Sequence, residues 1–336
     1  MNMDQEAILK GFYSGKSILV TGGAGAIGSN LSKKLVALGA RVVVVDDLSS
    51  GFIDNIHPIK AGMSLVRGDI AEWDALQPQL PKRVDLVFHL AAFFANQNSV
   101  EFPERDLATN GMGTLNICRW ASETGVGRLV FSSSSCVYGA ASGEIDEDTP
   151  LDPHTPYAIT KVLGEQYVKF HHQHGGLDAV ILRYFNSYGP GEYPGMYRNV
   201  IPNFIDKARR GEALPLTGNG RETRDFTFVG DTVSGTLLAG MKAEASGEIF
   251  NIGTGRETHI GDLAGHINEL VGNNAGCTYL PRRDWDRIDR RLACIDRARR
   301  VLGYDPSTSL LEGLDKTRAW FEQVAPRREH SMASVG

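Results

Sequence analysis

Short apolar runs, each about the length of a buried strand, recur along the 336-residue chain. The stretches between them carry apolar positions at helical spacing. Strands that alternate with helices are typical of a parallel sheet covered by helices on both faces. The pattern therefore predicts an α/β fold with a doubly wound parallel sheet. The predicted strands span residues 17–21, 41–46, 64–67, 86–91, 128–133, 179–184 and 247–252.

The sequence changes character near Gly189, where glycine, proline and tyrosine crowd into residues 189–195. Helical and short irregular segments dominate beyond that point. We expect a smaller second domain there, discontinuous in sequence because residues 247–253 return to the sheet. Residues 1–15 and the tail are expected to be loosely held termini. The predicted boundaries are 1–186 plus about 226–255 for the larger domain, about 187–225 plus 256–325 for the smaller, C-terminal domain, and 326–336 for the tail.

The composition argues against several classes of function. Charged residues make up 22 % of the chain and the formal net charge is −5, so we expect no nucleic-acid partner. The basic cluster at 282–300 is interleaved with acids and apolar residues, and we interpret it as a local feature. No run approaches the ~18 apolar residues of a membrane span. The first residues also lack the pattern of a signal peptide.

The cysteines and histidines indicate the expected compartment and metal content. Scattered cysteines without CxxC spacing are typical of reduced thiols in a cytosolic protein, so we expect a cytoplasmic location. His171, His172 and His174 lie at a predicted helix end without a cysteine or carboxylate cluster, and we interpret them as surface residues rather than metal ligands. No metal site is predicted. The cysteines are Cys118, Cys136, Cys277 and Cys294.

The most informative segment joins the first predicted strand to a helix predicted at 29–38. Glycines stand at positions 22, 25 and 28 within it. A strand, a glycine turn and a helix in this order let the backbone approach a pyrophosphate, whose charge then lies on the free N–H groups of the helix N-terminus. The next strand ends in Asp46, at roughly the 20-residue spacing that brings a carboxylate to the adenosine ribose. The segment predicts a dinucleotide site.

Asp46 also bears on the choice of dinucleotide. A carboxylate at this point accepts hydrogen bonds from ribose hydroxyls and repels a 2′-phosphate, and the adjacent Asp47 adds to that repulsion. No arginine follows to bind a phosphate. The two aspartates therefore predict NAD rather than NADP as the cofactor.

Tyr157 and Lys161 are spaced four residues apart and so lie on one face of a helix. A serine-rich strand end precedes them at 132–135. In a doubly wound sheet both the strand end and this helix border the ligand crevice. A nearby ammonium favours the phenolate of a tyrosine, which moves its pKa from about 10 toward a useful value. These residues predict that Tyr157 removes a proton from a secondary alcohol, with help from a serine hydroxyl.

A series of motifs resembles, in order, the landmarks of the extended short-chain dehydrogenase/reductases. The resemblance is to their NAD-dependent nucleotide-sugar epimerase/dehydratase family, and it covers residues 17 to about 320. It implies a Rossmann fold for the larger domain and a nucleotide-sugar-binding role for the smaller one. The motifs are TGGAGAIG (21–28), VDDLSSG (45–51), GDI (68–70), HLAA (89–92), SSSSCVYG (132–139), YAITK (157–161), RYFNSYGP (183–190) and GNGRETRDFTFVGD (218–231).

The resemblance implies roles for individual residues. Ser134 matches the catalytic serine, Tyr157 the base, and Lys161 the group that holds the nicotinamide ribose. Arg283 matches an arginine that pairs with the diphosphate of the substrate. Arg282 and Arg287 compete with it for that role, because the segment around them departs from the family pattern. The implied NAD site comprises Gly22, Gly25, Ala26, Ile27, Gly28, Asp46, Asp47, Asp69, Ile70, Leu90, Ala91, Ala92, Asn110, Tyr157 and Lys161. The implied substrate site comprises Ser134, Ser135, Asn186, Asn199, Val200, Arg224 and Arg283.

The residues after Ser134 bear on the reaction. Dehydratases of the family resemble Asp-Glu here, whereas this chain has Ser135 and Cys136, which cannot act as a carboxylic acid–base pair. The resemblance therefore implies a nucleotide-sugar 4-epimerase, with UDP as the nucleotide that the family favours. It would oxidise C4 reversibly to a 4-ketose and reduce it again on the other face. A 4,6-dehydratase and a C4 dehydrogenase or reductase stay open as alternatives. A non-catalytic NAD-binding regulator is disfavoured by the presence of Ser134, Tyr157 and Lys161 together.

The implied partners are a small-molecule nucleotide sugar and a second copy of the chain. Helices predicted at 106–124 and 157–173 match those through which the family commonly forms dimers by a four-helix bundle. The loop at 93–100 is rich in aromatic and amide side chains and corresponds to a loop on the active-site side, so we expect it to influence substrate choice. The sequence leaves the sugar and the nucleotide base open.

Overall fold

The computed structural model describes residues 3–57, 62–141, 143–282 and 288–333. Within these ranges the strands are β1 (Ser17–Thr21), β2 (Arg41–Asp46), β3 (Met63–Arg67), β4 (Leu86–His89), β5 (Arg128–Ser134), β6 (Glu144–Ile145), β7 (Ala179–Tyr184), β8 (Ser187–Tyr188), β9 (Leu214–Thr217), β10 (Thr223–Arg224), β11 (Thr227–Phe228), β12 (Ile249–Ile252), β13 (Thr258–His259), β14 (Cys277–Leu280) and β15 (Leu292–Ala293). The helices are α1 (Met3–Tyr13), α2 (Ala26–Ala37), α3 (Ile53–Ile56), α4 (Trp73–Leu76), α5 (Asn96–Glu101), α6 (Pro103–Asp106), α7 (Gly113–Glu123), α8 (Pro156–His174), α9 (Val200–Arg209), α10 (Val229–Met241), α11 (Ile260–Val271) and α12 (Leu310–Ala333). A π-helical segment, Leu107–Met112, leads directly into α7.

Seven strands form the central sheet in the order β12-β7-β5-β4-β1-β2-β3. Every neighbouring pair is parallel. These strands are the seven runs predicted from the sequence, so the predicted doubly wound, Rossmann-like α/β fold is confirmed. β4 ends at His89, earlier than the apolar run predicts, because Leu90 and Ala91 already belong to the loop that lines a cavity at the sheet edge.

Alternate residues of the strands enter two separate cores. Ile18 and Val20 of β1 pack in a core that also contains residues of α2 and α10. Leu19, between them, packs in a second core with residues of α7. This alternation follows from the two-residue period of a strand, which points successive side chains to opposite faces. Both faces of the sheet are thus removed from water, as a parallel sheet requires.

A third apolar cluster lies apart from the central sheet. Its residues come mainly from α9, α11, α12 and β9, and β9 pairs in parallel with β14. The cluster residues that these elements contribute fall within the two segments from which we expect the smaller domain to be built. Separate hydrophobic clusters are typical of separate domains, although Phe226 of the third cluster lies just across the expected boundary. The exact boundaries stay a prediction.

The described part of the N-terminal segment is not loosely held, contrary to the prediction for residues 1–15; Met1 and Asn2 lie outside the described residues. α1 places Leu9 and Tyr13 in the first core, where neither side chain has exposed surface. The Tyr13 hydroxyl donates a hydrogen bond to the Leu237 carbonyl of α10 at 2.6 Å. The local pattern did not predict this anchoring because the partner is 224 residues further along the chain.

Two other element boundaries differ from the prediction. α2 begins at Ala26, before the predicted start at residue 29, because Gly28 is part of its first turn. α12 continues to Ala333, so most of the predicted tail has helical backbone. Residues 334–336 lie outside the described residues.

Replacing Leu9 by alanine tests the anchoring of α1. The change removes a fully buried side chain from the first core, so we expect the free energy of unfolding to fall by about 2–5 kcal/mol. The measurement is urea denaturation followed by circular dichroism. Ile8→Ala is the matched control, since Ile8 is 60 % exposed on the same helix and should change stability little. Equal stability of both variants and the wild type would show that α1 is not part of the cooperative core.

Candidate active site

A cavity of about 570 Å³ opens at the carboxyl ends of the central strands, the edge at which doubly wound sheets bind ligands. Most of the residues predicted for the NAD and substrate sites line it. These are Gly22, Gly25, Ala26, Ile27, Gly28, Asp46, Asp47, Asp69, Ile70, Leu90, Ala91, Ala92, Ser134, Ser135, Tyr157, Lys161, Asn186, Asn199, Val200 and Arg224. The topology therefore brings together residues from widely separated parts of the chain.

Two predicted site residues are not in this set. Asn110 lies behind the cavity wall rather than in it: its side chain is buried, and its Oδ1 accepts a hydrogen bond from the Phe93 N–H at 2.8 Å. It thereby positions the loop that follows β4. Arg283 lies outside the described residues, as does its competitor Arg287, whereas Arg282 lines the cavity.

The glycine turn between β1 and α2 is held by close backbone packing. Gly22 has φ +68°, and a Cβ there would lie 2.7 Å from the Ala91 nitrogen. A Cβ on Gly28 would lie 2.1 Å from the Gly22 carbonyl oxygen, so only glycine fits. Gly25 precedes the first turn of α2, which no side chain caps. The exposed N–H groups of this turn fit a pyrophosphate.

Asp46 lies at the end of β2 on the same side of the cavity. Its carboxylate accepts hydrogen bonds from the N–H groups of Ala24 and Leu48, at 2.8 and 2.9 Å. These bonds fix the side chain between the glycine turn and the next loop. Burial raises the pKa of Asp46, and the two N–H donors oppose that rise. The position fits a carboxylate that accepts from the ribose hydroxyls of NAD.

Ser134, Tyr157 and Lys161 meet deeper in the cavity. Ser134 is the last residue of β5, and Tyr157 and Lys161 lie in the first turns of α8, which Thr155 caps through the Ala158 N–H. The Lys161 Nζ donates to the Ser132 carbonyl at 2.8 Å and lies 5.7 Å from the centroid of the Tyr157 ring. The local geometry follows from the four-residue spacing on one helix face.

The ionisable groups of this cluster are strongly perturbed. Burial raises the pKa of Tyr157 well above its usual value, and Cys136 raises it further, whereas a hydrogen bond with Ser134 lowers it. The sequence predicted that Lys161 would lower the pKa of Tyr157; in this structure the group that lowers it is Ser134. Burial lowers the pKa of Lys161 to about 8, against the opposing effect of Asp106 and Glu165.

Asp106 supports this cluster from behind. Its carboxylate is fully buried and accepts from the Thr160 hydroxyl at 2.6 Å and from the Asn110 side chain at 2.8 Å. Burial raises its own pKa, while Thr160 and Lys161 lower it. Asp106 thus connects α8 to the loop after β4 and places negative charge near Lys161.

The loop after β4 forms one wall beside the reacting cluster, as predicted for 93–100. Phe94 packs edge-on against the ring of Tyr157, with centroids 6.0 Å apart. Asn96 accepts from Thr155 at 2.8 Å and directs its amide to the Cys136 sulfur at 3.6 Å. Cys136 lies on the floor of the cavity at the point where the dehydratase pattern would place a carboxylate.

The predicted substrate residues come from the second half of the chain. Asn186 follows β7 with φ +26° and donates to the Asp225 carbonyl at 3.2 Å. Asn199 precedes α9, and its amide donates to Glu192 at 2.8 Å. Arg224 forms part of β10. All three residues line the cavity, and they are the residues expected to bind the nucleotide sugar.

Two asparagines join the glycine turn to the segment that follows β8. The Asn30 amide donates to the carbonyls of Ala26 and Pro190, both at 2.8 Å. The Asn55 amide donates to the carbonyls of Ala24 and Gly191, at 3.0 and 2.9 Å. We call these four bonds the asparagine seam. They hold the segment against the predicted pyrophosphate site.

Among the cavity residues that were not predicted from the sequence are Glu192, Arg198 and Arg291. Burial raises the pKa of Glu192 to about 7, against the effect of Arg198 and Asn199. Arg198 also lines the cavity and donates to the Ser50 carbonyl at 2.6 Å. Arg291 lies in the basic cluster that was interpreted as a local feature, yet it lines the cavity and is 3 % exposed. The glycine-rich segment at 189–195 is a sequence signal for Glu192 and for the nearby Arg198. No sequence signal distinguishes Arg291 from its basic neighbours.

The described residues contain neither a metal site nor a membrane-spanning helix. Within them, no group of three or more histidine, cysteine, aspartate or glutamate side chains is arranged to hold a metal ion. In the same part of the chain, no helix has the length and apolar character needed to cross a membrane.

Comparison with known proteins extends these observations. The model of the NAD-dependent epimerase/dehydratase family matches residues 18–253. The UDP-glucose 4-epimerase of Mycolicibacterium smegmatis is 36 % identical over 90 % of this chain and 97 % of its own. The epimerase Mth375 of Methanothermobacter thermautotrophicus has a TM-score of 0.94 at 46 % identity and covers 98 % of both chains.

A second solved structure is that of the UDP-glucose 4-epimerase of Thermotoga maritima with UDP-glucose. It has a TM-score of 0.87 at 34 % identity and covers 92 % of this chain and 99 % of its own. The family match spans most of the central sheet and the whole reacting cluster. The chain therefore belongs to the NAD-dependent epimerase/dehydratase family.

Proposed function

We propose that this protein is an NAD-dependent UDP-sugar 4-epimerase. The observation that carries the proposal is the meeting of Ser134, Tyr157 and Lys161 in a cavity that also contains the glycine turn and Asp46. The relatives named as UDP-glucose 4-epimerases support the choice of reaction and of nucleotide. The assignment of individual residues to NAD and substrate, as predicted from the sequence, is part of this proposal.

The proposed chemistry uses one base for both directions of the reaction. Tyr157 removes the proton from the C4 hydroxyl of the sugar, and Ser134 shares a hydrogen bond with the same oxygen. Bound NAD would supply the hydride acceptor and a positively charged ring, whose field opposes the effect of burial on Tyr157. The 4-ketose then turns in the cavity, and Tyr157 returns the proton after reduction on the opposite face. The cycle leaves no net oxidation.

The floor of the cavity favours epimerisation over dehydration. Elimination of water needs a carboxylic acid and base beside C5 and C6 of the sugar, and the positions after Ser134 carry Ser135 and Cys136. The described carboxylates that line the cavity are Asp46, Asp47, Asp69, Glu192 and Glu222, and none belongs to β5 or the turn after it. A reversible oxidation at C4 needs no such pair.

We further propose that the protein forms a homodimer through α7, α8 and the π-helical segment. Four large apolar side chains on these elements are about half exposed: Leu107, Met112, Ile159 and Phe170. Apolar side chains grouped on neighbouring helices are typical of a protein interface.

A cytoplasmic location is supported by the four free cysteines, because reduced thiols are typical of that compartment.

Replacing Tyr157 by phenylalanine tests the reaction. We expect the rate of C4 epimerisation to fall by about 10²–10⁴-fold, because the change removes the proton-transfer group and keeps the ring. The assay incubates UDP-, dTDP- and GDP-sugars with the enzyme without added cofactor and follows products by proton NMR. Tyr167→Phe, on the same helix, is the matched control and should retain activity. Products formed by loss of water or of carbon dioxide from the sugar would contradict the epimerase assignment.

The pH profile tests the charge on Lys161. Below about pH 8 Lys161 is protonated, and its ammonium is the group proposed to hold the nicotinamide ribose, so we expect kcat/KM to fall as the pH rises through that value. Asp106 raises the pKa of both Lys161 and Tyr157. Asp106→Asn should therefore move the whole profile to lower pH. The exposed Glu123→Gln serves as the control, and identical profiles for both variants would rule out this coupling.

Charged substitutions at the apolar helix face test the dimer. The double variant Met112→Glu, Phe170→Glu places like charges on a face that we expect to be self-complementary, so it should sediment as a monomer at concentrations at which the wild type is dimeric. Analytical ultracentrifugation measures the mass directly. Ile8→Glu, at an exposed apolar position on α1, should leave the dimer intact. A monomeric wild type would refute the proposal.

A further inference from the structure

Arg291 is a buried arginine whose charge has no acidic partner among the described residues. It is 3 % exposed, and its backbone is fixed between Thr223 and Asp225, by bonds of 3.2 and 2.9 Å. Its Nη2 donates to the Gly139 carbonyl at 2.7 Å, and its Nη1 approaches the Cys136 sulfur at 3.5 Å. Its Nε has no hydrogen-bond partner in the part of the chain that the structure describes. A thiol is a weak acceptor, so the guanidinium is only partly satisfied.

Other arginines of the same chain show what is missing. Arg183, also buried, binds Glu165 with two nitrogens at 2.9 and 2.7 Å. The adjacent Arg290 binds Glu257 at 2.7 and 2.9 Å. Arg291 forms no ion pair with any of the described residues. Because an unpaired buried charge is costly, the structure is most stable at this point when an anion lies beside Arg291.

The position of Arg291 indicates where that anion belongs. Arg291 lines the cavity and contacts Cys136, which lies two residues after Ser134. Cys136 also approaches Asn96 and acts on the pKa of Tyr157. The guanidinium therefore lies beside the reacting end of the cavity. The groups nearest to C4 of a hexose are the substituents of C3 and C5, so an anion at this point is carried by the sugar.

We infer that Arg291 binds a carboxylate on the sugar, and that the substrate class is nucleotide uronates rather than neutral nucleotide sugars. This inference rests on the proposed function, since it requires the sugar to lie against Tyr157. A carboxylate at C6 is bonded to C5 and so lies next to the reacting carbon. This carboxylate supplies the negative charge that the described residues do not place beside Arg291. Its oxygens accept hydrogen bonds from guanidinium nitrogens, one of which now points to a thiol.

Binding measurements test the inference without depending on turnover. We expect calorimetry with the intact enzyme to show that UDP-glucuronate binds at least about tenfold more tightly than UDP-glucose. Arg291→Gln should remove that preference and leave the affinity for UDP unchanged, whereas Arg291→Lys should retain part of it. Arg290→Gln, at the neighbouring surface position, is the matched control. If Arg291→Gln does not fold, the lysine variant and the ligand preference of the wild type decide the question.

Two results would overturn the inference. Equal affinity of the wild type for UDP-glucuronate and UDP-glucose would show that no sugar carboxylate is recognised. An equal loss of affinity for UDP and for UDP-glucuronate in Arg291→Gln would assign the arginine to the diphosphate. A comparison of UDP-glucuronate with UDP-N-acetylmuramate then separates a carboxylate at C6 from one carried on C3.

Product analysis separates the inference from the proposed function. C4 epimers formed faster from uronates than from neutral sugars would support both. Neutral sugars epimerised without a preference for uronates would overturn the inference and leave the proposed function in place. Tight binding of a uronate followed by loss of carbon dioxide would support the role of Arg291 and overturn the epimerase assignment.

Discussion

A buried ion pair between Glu165 and Arg183 holds together the elements that carry the reacting groups. Glu165 lies one helical turn after Lys161 on α8, and Arg183 lies on β7. The Ser133 hydroxyl of β5 donates to the same carboxylate at 2.6 Å, and Arg183 continues to the Tyr138 hydroxyl at 2.8 Å. Loss of one partner from such a pair costs about 3–5 kcal/mol, because the other charge stays buried. The pair therefore fixes the distance between the end of β5 and the face of α8.

The network extends from this pair to the last strand of the sheet. The Tyr138 hydroxyl donates to Asn251 of β12 at 2.7 Å, and the Asn251 N–H donates to Glu147 at 2.7 Å. The charged groups of this network, Glu165, Arg183 and Glu147, each have a charged partner, in contrast to the partial satisfaction of Arg291. A rigid, fully bonded layer beneath the cavity lets the groups above it keep precise positions while substrate moves.

The sequence predicted the parts of the molecule whose signals are local. The seven apolar runs became the seven strands of the sheet because a two-sided parallel sheet requires continuous apolar segments. The glycine turn and the Tyr157–Lys161 spacing were likewise readable, since each depends on neighbours within a few residues. Asn110 could not be placed by spacing alone: whether it lines the cavity or supports its wall depends on where Phe93 folds back. Arg291 is another such case, because it and its neighbour Arg290 differ only in the direction in which the chain turns their side chains.

The asparagine seam connects the proposed binding site of the dinucleotide with that of the sugar nucleotide. Asn30 and Asn55 each bridge the glycine turn and the segment after β8. A ligand that orders one side of the seam lowers the cost of ordering the other, and by linkage the effect is reciprocal. With the residues assigned as proposed, the two ligands would share this wall, and the dinucleotide would leave only when the wall moves. An enzyme built in this way would retain its cofactor most strongly while the sugar nucleotide is bound.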